Sequence, residues 1–151
     1  MKIEVDQSGK IEQLDTPTVI ACANGISLAI IIKASEKRLL FTQLRTSIVI
    51  KADRQAVIFA VLVFLLLRNL KKMPSSIILD EEYTGKNVIV CKTLEKLLMR
   101  QFKGRWQGVI RVQQIGKHSP AHVKAWELHR KARKHKEVLK VTARDILRLW
   151  Q

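Results

Sequence analysis

Lys2-Ile3-Glu4-Val5-Asp6 alternates polar and apolar residues strictly, which is the period of a strand, so Glu4 and Asp6 share one face and Ile3 and Val5 the other. Ser8-Gly9-Lys10 supplies a turn, after which Ile11-Glu12-Gln13-Leu14 can begin a return strand. Pro17 interrupts; Thr18 to Ala23 and Ile26 to Ile32 then read as a hairpin about Asn24-Gly25, a dipeptide suited to a two-residue turn. The first 33 residues therefore predict a β-meander. Residues 34–52 show no decisive period: Ser35 to Phe41 fits a short helix or an extended edge, and Ser47 to Ile50 fits another short strand.

The period changes after that. Asp53 can cap a helix running to about Leu70, apolar almost all round, as expected of a helix packed centrally on a sheet. Lys71-Lys72-Met73-Pro74 ends it. Ser76-Ile77-Ile78-Leu79 is a short apolar run that reads as a buried strand, and it ends in three consecutive acids, Asp80, Glu81 and Glu82. Gly85 to Lys103 predicts an amphipathic helix with Val88, Cys91, Leu94, Leu98 and Phe102 on its apolar stripe. Gly108 to Ile115 is a further strand, and Ser119-Pro120 a helix start, with Ser as cap and Pro in the first turn. That helix has a basic outer face through Lys136, and Thr142-x-x-Asp145 is a second cap signal before Ile146 to Trp150. Three strands, then helix, strand, helix, strand, helix specify one α/β domain: a mixed sheet, antiparallel first and βα-alternating afterwards, with helices on its faces.

Length agrees, since 151 residues suffice for a single core and are too few for two comfortable domains. Ala56 to Leu67 is uninterruptedly apolar, yet its twelve residues fall short of the ~20 that a membrane span needs. No secretory signal opens the chain, and Cys22 and Cys91 sit among apolar neighbours as reduced core thiols would, so an intracellular, cytoplasmic protein is expected.

Charge changes the picture more. The net charge is +15, and residues 92–151 hold 16 Lys and Arg against four acids. A basic half of this kind points to phosphate polyanions, nucleic acid first and an anionic membrane surface second. Lys117, Lys124, Arg130, Lys131, Arg133 and Lys134 are the candidates for backbone contact. Trp106, Trp126 and Trp150 are expected in the core or at a groove edge rather than as stacking platforms. In so basic a chain three adjacent carboxylates need a reason: a metal ion is one, a solvated turn the other.

An acid on the first strand beside a Ser-Gly turn (Val5-Asp6-Gln7-Ser8-Gly9), acids at the end of the fourth strand (Leu79-Asp80-Glu81) and this order of elements resemble the ribonuclease H-like superfamily. Carboxylates at those two places look closest to the Holliday-junction resolvases of the RuvC type. The resemblance implies a ribonuclease H-like mixed sheet and two-metal phosphodiester hydrolysis by a nuclease on structured DNA or RNA–DNA hybrid. It implies Mg²⁺ or Mn²⁺ on Asp6 and on Asp80 or Glu81, of which alternation lets only one face Asp6. The remaining ligand should come from the start of the last major helix. In place of an Asp this chain offers His118 and His122 there, with Glu127 further on, as ligands or proton shuttles. His118-x-x-x-His122 also has a zinc-like spacing, though both cysteines are distant. A homodimer fits a junction substrate. The alternatives are a catalytically inactive nucleic-acid-binding protein of the same fold, and a peripheral membrane or assembly protein using the basic face.

Overall fold

The computed structural model describes residues 1–23, 27–47, 51–130 and 138–150. Six strands, β1 (Lys2–Ser8), β2 (Thr18–Ala23), β3 (Leu28–Ile32), β4 (Ser76–Asp80), β5 (Val109–Gln113) and β6 (Leu139–Val141), form one sheet in the order β5-β4-β1-β2-β3-β6. β1, β2 and β3 pair antiparallel in sequence, whereas β4 joins β1, β5 joins β4, and β6 joins β3 in parallel. The expected mixed α/β sheet is thus present. β1 lies inside it with a partner on each side, which explains why its Ile3, Val5, Asp6 and Gln7 are all buried.

Among the described residues the α-helices are α1 (Ala34–Gln43), α2 (Arg54–Leu67), α3 (Asn87–Gln101), α4 (Pro120–Arg130) and α5 (Ala143–Leu147). The main core joins Ile3, Val5, Ile20, Cys22, Ile30, Ile32, Ile77 and Leu79 of the sheet to α2, with Leu40 of α1, Leu94 of α3 and Ile146 of α5 around it. α2 is surrounded by protein, so eleven of its 14 residues are buried and no polar stripe is needed. Fully burying each large side chain, such as Phe59 at 1% exposure, contributes about 1.5–3 kcal/mol. Among the described residues no helix is long and apolar enough to cross a membrane. On the opposite face α4 helps seal a smaller core, in which Ala125 and Leu128, with Val138, pack against Val19, Ala21, Ala29 and Ile31.

Several expectations are corrected. Ile11 to Leu14 is a turn, not a return strand: Ile11 drops into the main core while Lys37 of α1 donates from Nζ to the Lys10 and Gln13 carbonyls (3.1 and 2.6 Å), fixing the loop out of the sheet. Of the two readings open for Ser35 to Phe41, the helical one holds, within α1. Asp53 precedes α2, but its carboxylate makes no cap bond and pairs instead with Lys86 at 2.7 Å. The buried stripe of α3 is Val90, Leu94, Leu97 and Leu98, and Val88 is 65% exposed. β6 was not anticipated. The Asn24-Gly25 turn, and Ile48 to Ile50 of the expected short strand, lie outside the described residues. The Thr142–Asp145 capping box at α5 is present, as is the Ser119 cap, whose Oγ accepts from the Ala121 N–H at 3.2 Å.

Candidate metal centre

Parallel pairing of β1 and β4 sets Val5 opposite Leu79, with both side chains in the main core. The next residues, Asp6 and Asp80, therefore point to the other face from neighbouring strands, at the same end of the sheet. Glu82 follows two residues after Asp80. One carboxylate oxygen from each of Asp6, Asp80 and Glu82 lies within 4.8 Å of the others, the sole such acid, His or Cys group among the described residues. α4 crosses the same face and supplies a fourth group: His122 Nδ1 stands 2.6 Å from Asp6 Oδ2. Because an ionised carboxylate only accepts, Nδ1 carries the proton there and Nε2 is left for another partner.

Each group is held from behind. Asp6, 1% exposed, accepts the Gln7 N–H on Oδ1 at 2.8 Å. Asp80 Oδ1 accepts the Ile115 N–H at 2.9 Å, so the segment after β5 closes over the end of β4. Glu82 is positioned by its neighbour Tyr83, whose ring packs against Phe59 with centroids 5.7 Å apart and whose hydroxyl meets Gln7 Nε2 at 3.1 Å. α4 is registered on β1 by Ser119, whose Oγ donates to Glu4 at 2.8 Å, and on the loop between β1 and β2 by His129, whose Nε2 donates to the Pro17 carbonyl at 3.1 Å.

This crowding has an electrostatic consequence. Burial, then the adjacent Asp6 and Asp80 carboxylates, push the Glu82 carboxyl up to about 9. Burial also raises Asp6, with Asp80 adding to it, while hydrogen bonds from Glu82, the Gln7 amide and His122 pull it back. Three carboxylates this close do not all ionise unless a cation joins them. The donor set is all oxygen and hard, so the cluster could hold a divalent cation.

Of the residues singled out in the sequence, Asp6, Asp80 and His122 come together. Glu81 stays apart: its amide donates to the Gln113 carbonyl at 3.1 Å and its carboxylate accepts from Asn87 Nδ2 at 2.9 Å. Glu82 joins the cluster instead, and the signal for it was present, since the alternation that separates Asp80 from Glu81 returns Glu82 to the side of Asp80. His118 is exposed, Lys117 is exposed beside it, and Glu127 faces outward. Lys124 hydrogen-bonds Ser27, and Arg130 lies over the Trp126 ring. Lys131, Arg133 and Lys134 lie outside the described residues. Trp106 and Trp150 pack against the core as expected, but Trp126 is 48% exposed.

No family model matches the chain, and no curated protein matches its sequence.

Proposed function

We propose that this protein is a metal-dependent nuclease of ribonuclease H-like fold that hydrolyses phosphodiester bonds in structured DNA or RNA–DNA hybrid. The observation that carries the reading is the meeting of Asp6, Asp80 and Glu82 at the ends of adjacent parallel strands, with His122 on Asp6, in a chain of net charge +15. The strand order, three antiparallel strands extended by β4 and β5 on the far side of β1, supports the same reading.

Asp6, Asp80 and Glu82 would hold Mg²⁺ or Mn²⁺, which when bound activates water and stabilises the leaving oxygen. The chain's own residues prepare that site. Burial of Asp6 between two strands fixes its oxygens, the Ile115 amide orients Asp80, and Tyr83 anchors Glu82. His122 has Nε2 available at the rim to carry a proton to or from a phosphate ester, while Asp6 orients its ring. Cations on α4 and in the chain that follows it attract the phosphate backbone.

Incubation with branched DNA, RNA–DNA hybrid and single strands in Mg²⁺ or Mn²⁺ tests the proposal. Cleavage should appear with the wild type and fall by at least ~10²-fold with Asp6→Asn. Cleavage unaffected by that substitution would sink the assignment of the site. A second reading, binding without cleavage, is favoured by His122 standing where an acid was expected; tight salt-sensitive binding with no cleavage in either metal would select it.

A further inference from the structure

α4 presents His122, Trp126 and Arg130 at intervals of four residues, which places them in one stripe, each about 6 Å along the helix from the last. The stripe starts at the acids, where His122 meets Asp6, and continues to Trp126, 48% exposed, with the Arg130 guanidinium 4.6 Å from its ring centroid. The inward-facing residues of α4 are Ala121, Ala125 and Leu128, so the indole takes no part in sealing the core beneath the helix. A guanidinium over one face of the ring steadies it without covering the rest.

We infer that Trp126 is a stacking platform for one unpaired nucleobase, held on α4 about one helical turn from the acidic cluster, in a strand whose phosphates meet the cations of that helix. This rests on the nucleic-acid reading above and names its substrate class: a strand with an unpaired base beside the site, such as a single strand, a flap or a branch point. The chemistry of the stripe selects that occupant. Protein-binding patches are enriched in Trp and Arg but depleted of Lys, whereas this indole, bracketed by His122 and Arg130, is followed in the chain by Lys131, Lys134 and Lys136 as well as Arg133, an excess of cations that suits a phosphate backbone. Every base offers a π face and every nucleotide a phosphate, which matches an aromatic ring flanked by cations.

Fluorescence anisotropy with a labelled short single strand, and with the same sequence as a blunt duplex, tests the inference in Ca²⁺ in place of Mg²⁺, so that binding is read without turnover. Trp126→Leu, which keeps apolar bulk but removes the π face, should weaken single-strand binding about 5- to 100-fold, and Trp126→Phe should retain most of it. Duplex binding should be the same in all three proteins, and melting curves should coincide because the side chain is exposed. Equal single-strand affinity of Trp126→Leu and wild type would overturn the inference, as would an equal loss on the duplex. So would Trp126-dependent binding to phosphatidylserine vesicles by a protein that binds neither oligonucleotide. Absence of cleavage, with the single-strand effect intact, would overturn the nuclease reading and leave this one standing.

Discussion

Glu82 is the residue on which the acid cluster turns. Folding presses its carboxyl against Asp6 and Asp80, so in the metal-free protein it keeps its proton up to about pH 9, whereas the unfolded chain releases it near the ordinary 4.5. A folded value raised in this way gives stability that is complete below about pH 4.5 and is lost as pH climbs through the folded value. Stability of the metal-free protein should therefore fall from mildly acidic to alkaline pH, and Glu82→Gln should flatten that fall in urea titrations across the range. Mg²⁺ or Mn²⁺ must displace the proton to use Glu82, so the rise in Tm that the metal produces should grow with pH in the wild type. In Asp6→Asn and Glu82→Gln the metal should produce little or no rise at any pH, and an undiminished rise would remove those residues from the site.

Elements carry these residues only as well as loops hold them, and the loop between β1 and β2 shows how. Gly9 ends β1 with φ +84°, and a Cβ built there would stand 2.3 Å from the Pro17 carbonyl oxygen and 2.7 Å from His129 Nε2. Both the backbone conformation and the space demand glycine, and the contact with His129 ties the loop to α4. Gly9→Ala should cost about 2 kcal/mol or more, read as a lower urea midpoint at unchanged slope, and should also blunt the metal-induced rise in Tm because α4 shifts against β1. The same loop explains part of what the sequence left illegible. Ile11 looks like the start of a strand by its neighbours, but Lys37 and the core below compete for that segment and win. In α3 four successive apolar residues, Val88 to Cys91, allow the stripe to be drawn in two registers, and only docking on α2 decides for Val90. β6, three residues long, is too short to show a period at all and becomes a strand only because β3 offers an edge. Where the pattern was unambiguous, as in β1, α2 and the capping box of α5, sequence and structure agree.

At the scale of the whole molecule, the mixed sheet followed from the order of the patterns, whereas the meeting of acids from β1 and β4 was implied only by the resemblance, and the parallel pairing of the two strands brings it about. Alternation already put Glu82 rather than Glu81 on the side of Asp80, but the approach of His122 to Asp6 depended on a long-range contact that no local pattern supplies. The charge asymmetry was legible outright, and it makes a quantitative demand. If Lys117 and Arg130 each neutralise one phosphate, Lys117→Gln with Arg130→Gln should reduce the slope of log affinity against log salt by about 2, which a salt titration of duplex binding measures directly. An unchanged slope would place the phosphate contacts elsewhere. The position of β1 has one more consequence, in the order of events during folding. Its two neighbours come from opposite directions of the chain, β2 immediately and β4 only after α1 and α2, and His122 arrives last, 116 residues after Asp6. Pairings of such long range form late and slowly. The hairpins on the β2 side can assemble early, but they bring Asp6 no partner. The acid cluster is thus a property of the finished fold: a nascent or partly unfolded chain carries the same net positive charge without the three carboxylates and His122 assembled at one point.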